Sequence, residues 1–292
     1  MNNTMNDTKD NNVNIDFLNS TYHLSCSHNE LKHLIIKIFK EFRIYKMDCF
    51  VNDVFNMYST IPYHNVRHAF EVFQMTAIMV NIMNLRNKYN ELDIKLLLIS
   101  ALCHDVSHIG LSNMDIESIN CDIGGSSSSS SSSDNIANIT SDSSYNEDIH
   151  INNTLKLIYK HKQIFKNYIS DMKYINNMIT SLILCTDLSL HNSYLKKYKS
   201  NVYDKTLLNL VIKISDISHP LRHFKIHNYW VYKFNEETKS KLITPHHIGK
   251  DTLWFINTFL LEPLEMLTRD FKSLRVFKTN LNCNIKIWKS YE

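Results

Sequence analysis

Four glycines and four prolines in 292 residues leave this chain few places to turn tightly or to break a helix. That scarcity predicts an all-α fold, and the periodicity agrees. Leu31, Leu34, Ile35, Ile38, Phe39 and Phe42 fall at helical spacing on one face, as do Met47, Phe50, Val51, Val54, Phe55 and Tyr58. Both read as core-facing helices with no chemistry of their own. The length suffices for one large domain or two small ones, with ample length for a core. The composition, 43% hydrophobic and 21% charged, is that of a soluble globular protein.

Several function classes recede on charge and cysteine usage. A net charge of +3 with no basic stripe gives no footprint for nucleic acid. The six cysteines (Cys26, Cys49, Cys103, Cys121, Cys185 and Cys283) contain no Cys-x-x-Cys pair, which argues against a disulfide framework or a thiolate zinc site and suits a reducing compartment. No apolar run approaches the roughly 18–20 residues of a membrane span, and no signal peptide is expected at the start. The chain itself is therefore expected in the cytoplasm, with membrane association only through an upstream region of an intact protein.

Two stretches lack packing capacity. Residues 1–28 are rich in Asn and Asp and are expected to be a disordered lead-in. Residues 114–146 contain Gly124-Gly125 followed by eight serines, Ser126–Ser133, and are expected to form a flexible surface insertion. The remainder, 29–292, reads as one catalytic-size unit, since helical periodicity resumes at Leu155, Ile158, Tyr159 and Phe165.

The chemistry-bearing residues sit at the ends of apolar helices. Leu96–Leu102 runs into His104–Asp105, followed by His108. Adjacent imidazole and carboxylate groups at the end of a buried helix need compensation, and neutral His with ionised Asp is a good donor set for a divalent cation. Such a pair alone is more often a satisfied polar helix end. Pro62 fits near a helix start, so His64 and His68 are expected to share a helical face. Asp187 and His191 are again four apart. Leu207, Leu210, Val211 and Ile214 lead to Asp216, which Pro220 should hold in a last helical turn.

Taken together, Tyr63-His64-Asn65-x-x-His68-Ala69, His104-Asp105-x-x-His108-x-Gly110, Thr186-Asp187-x-x-x-His191 and Asp216-Ile217-Ser218-His219-Pro220 resemble the catalytic domain of class I cyclic nucleotide phosphodiesterases, within the HD-type metal-dependent phosphohydrolases. Smaller matches agree: Ser144-x-x-Glu147-x-x-His150, Trp230 followed by Glu236–Glu237, and Asn284 before Trp288. The resemblance runs from about Phe50 to Trp288. The Asn-, Ile- and Lys-rich composition with its serine run suggests an AT-biased genome of the kind found in protozoan parasites.

The resemblance implies a compact multi-helix catalytic domain that hydrolyses cAMP, cGMP or both to 5′-nucleotides. It makes His68, His104, Asp105 and Asp216 ligands of a tightly held Zn²⁺, with Asp105 bridging to a second ion, Mg²⁺ or Mn²⁺, and a hydroxide between the two as nucleophile. His64 matches the general acid, with Glu147 expected to supply its carboxylate partner. His108, Glu147, His150, Asp187 and His191 become supporting groups that bind metal waters or orient ligands. Tyr63, Leu188, His219, Phe234, Thr252 and Phe255 are the implied substrate-binding residues. Dimerisation is left undecided.

Three departures stand out. Thr252 occupies the position of the family's base-binding Gln, and a hydroxyl offers no bidentate amide. Only 14 residues, Thr238 to Asp251, separate Glu237 from Thr252, shorter than the usual loop. Ile109 replaces a Pro. Two alternatives therefore stay beside the first reading: an HD-type phosphohydrolase acting on another phosphoester, and a metal-bound inactive module that binds a nucleotide or a partner.

Overall fold

The computed structural model describes residues 18–124, 144–200, 205–238 and 244–291. Among them there are helices and turns and no strand, as the scarcity of breakers predicts. Two helices form the centre. Val66–Ile82 (here α4) is buried nearly all the way round from Val66 to Val80, and Glu91–Cys103 (α5) is buried from Leu92 to Cys103 apart from Lys95. A helix apolar on every side belongs inside a larger body, and these two pack on each other. Around them lie, in chain order, Tyr22–Ser25 (α1), His28–Glu41 (α2), Asp48–Met57 (α3), Asn113–Gly124 (α6), Tyr145–Lys160 (α7), Met172–Leu184 (α8), His191–Ser200 (α9), Thr206–Asp216 (α10), Phe224–Glu237 (α11), Pro245–Phe255 (α12), Leu261–Asp270 (α13) and Phe277–Lys289 (α14).

Local chemistry starts several of these helices. Ser27 and Glu30 close a reciprocal capping box at α2, Asn90 caps α5, and Thr244 caps α12 ahead of Pro245. The third member of the centre, α10, packs on α4 and α5. Its buried Lys213 donates to the carbonyls of Cys185 and Asp187, 2.9 Å each, tying α10 to the end of α8. The ends of α4, α5 and α10 therefore meet, and the site lies where they meet.

Two expectations about order need correction. The lead-in does not reach residue 28: Leu18, His23 and Cys26 are buried and α1 packs on α4, because a few apolar and aromatic side chains in an Asn-rich stretch suffice to seat it. The insertion is also narrower than 114–146, since α6 is helical from Asn113 and Ser144 and Asn146 are buried. Residues 1–17 and the serine run Ser126–Ser133 lie outside the described residues. Among the described residues, no helix is long and apolar enough to cross a membrane.

Candidate active site and metal centre

Asn65 is the N-cap of α4, and its side-chain oxygen accepts from the backbone N–H groups of Arg67 (2.9 Å) and His68 (3.4 Å). Its amide donates back to the carbonyls of Ile61 and Pro62. This double anchorage starts the helix at Val66 rather than at Pro62. His68 therefore lies in the first turn of α4, while His64 lies before the cap in a bend. The expected common helical face of His64 and His68 does not exist; the two rings instead approach from different directions, edge to face at 6.0 Å.

At the end of α5, the His104 Nδ1–H donates to the Ala101 carbonyl (3.0 Å), which turns Nε2 toward the two carboxylates. That Nε2 lies 3.0 Å from Asp105 Oδ2 and 3.1 Å from Asp216 Oδ1. His68 Nε2 lies 3.1 Å from Asp216 Oδ1 and 3.5 Å from Asp105 Oδ2. All four donor atoms fall within 4.8 Å of one another. Ligands about 2.1 Å from a tetrahedral ion stand roughly 3.4 Å apart, so the spacing suits a metal. Asp105 Oδ2 is buried without a hydrogen-bond donor, an atom that a cation would satisfy. Burial alone would raise both carboxyls, yet His104 beside them holds Asp105 and Asp216 well below the usual range. Both stay ionised at neutral pH.

The loop after Asp105 carries the supporting imidazoles. His150, on α7, donates from Nδ1 to the Val106 carbonyl (2.7 Å) and turns Nε2 toward Asp105 Oδ1 at 3.8 Å. His108 stacks on His64 (ring centroids 3.9 Å, 16° between planes) and faces His150 at 5.5 Å on its other side. Burial and the nearby His64 push His108 down to about 3, and burial pushes His150 to about 4, so both are neutral donors or acceptors. Gly110 N–H donates to His108 Nδ1 (3.0 Å), and Gly110 has φ +79°. An alanine there would sit in the left-handed region at a cost of about 1–2 kcal/mol. Gly110→Ala is expected to lower the urea unfolding free energy by that amount; an unchanged midpoint would refute the strain.

His64 has a partner the sequence reading did not choose. Its Nδ1 is hydrogen-bonded to Glu237 Oε1, and Glu237 Oε2 accepts from the backbone N–H groups of Tyr63 (2.6 Å) and His64 (3.0 Å). Burial opposes the charged imidazole, but Asp105 and Glu237 together raise the His64 pKa above its ordinary value. Glu147, expected in that role, instead accepts from Asn113 Nδ2 (3.0 Å) and is pushed up by burial to about 7. The correction is one of geometry: α11 ends beside the bend at Tyr63–His64, whereas α7 starts on the Asn113 side. Glu236–Glu237 signalled the region in the sequence, but only the phase of α11 shows which glutamate turns inward.

The remaining expected residues divide. Tyr63 is a buried ring against His64, His68, Trp230 and Phe234, with His219 at 6.3 Å. Phe234 is 45% exposed and forms the outer wall there. Asp187 caps the turn Leu188–Leu190 and accepts from Ser144. His191 packs edge-on against Phe259 at 5.3 Å, with neither ring nitrogen hydrogen-bonded. Phe255 packs against the same Phe259 (5.3 Å). Thr252 is buried on α12, and Leu188 is half-buried. Among the described residues, no ring contact or hydrogen bond joins this second group to the Tyr63 cluster.

At the meeting point of three buried helices stands a His/Asp donor set that could hold a metal ion, with a His–Glu pair beside it. The sequence profile of 3′5′-cyclic nucleotide phosphodiesterases matches residues 63–249, and the chain belongs to that family. It is 31% identical over 195 residues to the human high affinity cGMP-specific 3′,5′-cyclic phosphodiesterase 9A, covering 63% of this chain and 31% of that protein. It is 26% identical over 284 residues to the cGMP-specific 3′,5′-cGMP phosphodiesterase 3 of Dictyostelium discoideum, covering 87% of this chain and 58% of that one. The fold matches the phosphodiesterase domain of a rhodopsin fusion protein from Salpingoeca rosetta with a TM-score of 0.78 at 19% identity, over 95% of this chain and 98% of that one. The chain thus spans less than a third of the human relative and well under two thirds of the Dictyostelium one.

Proposed function

We propose that this chain hydrolyses 3′,5′-cyclic nucleotides to 5′-nucleotides. The observation that carries the reading is the convergence of His68, His104, Asp105 and Asp216 beside the His64–Glu237 pair. These four residues would hold a Zn²⁺, which suits their nitrogen and oxygen donors without thiolate; Asp105 also faces His150, where a more hydrated Mg²⁺ or Mn²⁺ would sit. A cation in such a site supplies Lewis acidity toward phosphoryl oxygens and lowers the pKa of bound water toward neutrality. The protein's own part is proton delivery. Glu237 holds Nδ1 of His64, leaving Nε2 to protonate the 3′ oxygen as its bond to phosphorus breaks, while water contributes the new oxygen on phosphorus. Neutral His108, stacked on His64, keeps that ring in place. Tyr63, His219 and Phe234 would wall the substrate, with Phe255, Leu188 and Thr252 completing the base pocket.

The relatives' names make cGMP the first substrate to test. With Mg²⁺ or Mn²⁺ added, the full chain is expected to convert cGMP or cAMP to the 5′-nucleotide, and a chelator or His64→Ala is expected to abolish turnover. Two bound metals without turnover of either nucleotide would sink the reading; hydrolysis of a generic phosphodiester would then favour another phosphoester substrate. Cys26, Cys49, Cys103, Cys185 and Cys283 are free thiols, which suits work in the reducing cytoplasm.

A further inference from the structure

The segment just before α2 does more than cover apolar surface. Arg222 is fully buried in the turn that follows Asp216. Its guanidinium reaches back to α4: Nη2 donates to the Glu71 carbonyl (2.9 Å), Nη1 to Gln74 Oε1 (2.7 Å), and Nε lies 3.2 Å from Glu71 Oε2. Glu71 is one turn beyond His68, so Arg222 cross-braces the two elements that bear His68 and Asp216. Residues 18–26 complete this brace. The Leu18 carbonyl accepts from Arg222 Nη1 (3.0 Å), and the buried His23 donates from Nε2 to Glu71 Oε1. Asn19 Oδ1 accepts from His223 N–H (2.9 Å) and from Asn280 (3.1 Å). Arg67, beside His68, clamps the carbonyls of His23 and Cys26 in return. The segment is thus bonded to both elements, through the buried His23 and Arg222 and through the half-buried Arg67 and Asn19.

We propose that residues 18–26 act as a strap that sets the spacing between His68 and Asp216, with His23, Glu71 and Arg222 as positioning residues. Buried charges left with unmade hydrogen bonds shift until they find partners. Without His23, Glu71 Oε1 loses its donor, and the carboxylate can re-aim toward Arg222 and pull the turn after Asp216. Groups that orient ligands change metal affinity by about 10–100-fold when removed. The metal part of the test rests on the phosphodiesterase reading; the exchange part does not.

Three full-length variants are compared: His23→Ala, His23→Gln, which keeps an N–H donor, and Asn19→Ala. Amide hydrogen exchange in 216–223 and 69–74 and zinc retention against a chromogenic chelator are measured without nucleotide. His23→Ala and Asn19→Ala are expected to speed exchange in both stretches at least about tenfold and to weaken zinc retention by about the same factor. They should also shift the visible absorption of the cobalt-loaded protein, and His23→Gln should restore all three. Wild-type exchange in folded His23→Ala would overturn the strap. If His23→Ala does not fold, Asn19→Ala decides by the same criterion. A wild-type chain that binds no zinc would count against the metal reading, while exchange still judges the strap.

Discussion

Asp216→Asn is expected to lower kcat by at least about 10³-fold and to remove tightly bound zinc. Asp216 Oδ1 is the one carboxylate oxygen that stands 3.1 Å from both His68 Nε2 and His104 Nε2. An asparagine keeps the shape but removes the charge, and its amide nitrogen cannot ligate. Lewis acidity at phosphorus is worth several kcal/mol, and each factor of ten in rate is about 1.4 kcal/mol; three factors of ten is therefore a lower bound. A calorimetric readout separates loss of metal from loss of fold. Zinc at about 1,000 times its Kd should stabilise the wild-type chain by about 4 kcal/mol through mass action. The variant should melt close to the metal-free wild type and gain little on adding zinc. Full zinc content with more than a tenth of wild-type kcat would show that Asp216 is not a ligand.

What the sequence made legible follows from distance along the chain. His104, Asp105 and Asp216 stand out in the sequence because each ends an apolar run, where a polar residue needs a reason; that they belong with His68 in one set came from the resemblance, and the structure brings the four atoms together. The helices themselves were readable from spacing and from the shortage of glycine and proline. Three things were not. The start of α4 depends on the bonds Asn65 makes in both directions, which outweigh the usual preference for a proline in the first turn. The partner of His64 is 173 residues away, and composition alone does not distinguish Glu147 from Glu237; helix phase and the placement of α11 do. The lead-in was misjudged for a different reason. Its average composition is polar, but Leu18 and His23 are buried by specific partners on α4 and in the Arg222 turn. Averages over a window do not register two well-placed residues.

The choice between the two glutamates has a kinetic consequence. Glu237→Gln is expected to lower kcat/KM by about 10²-fold above pH 8, the lower end of what general acid catalysis supplies, and by less at pH 6. His64 must be protonated to donate. In the intact site its pKa is raised, against burial, by Asp105 and Glu237, so the protonated form persists above the ordinary value of 6.5 and the basic limb of the profile lies at higher pH. Removing the Glu237 charge leaves Asp105 alone to oppose burial, which favours neutral imidazole, and the basic limb should move to lower pH. The same pair shapes stability. His64, raised in the folded state, contributes fully below 6.5 and loses its contribution as pH rises through the folded value; Glu237, lowered in the folded state, contributes above 4.5 and loses it as pH falls through its folded value. The pair therefore stabilises between about pH 4.5 and the raised His64 value, and the variant should lose that plateau in urea titrations across pH. Glu147 is the internal control, because burial pushes it up to about 7 and its own titration falls in the same range. If Glu147→Gln moves the basic limb and Glu237→Gln does not, Glu147 tunes the acid and the His64–Glu237 contact is structural only. If His64→Gln flattens the limb while Glu237→Gln displaces it, the proton that leaves with the 3′ oxygen comes from His64 under the control of Glu237.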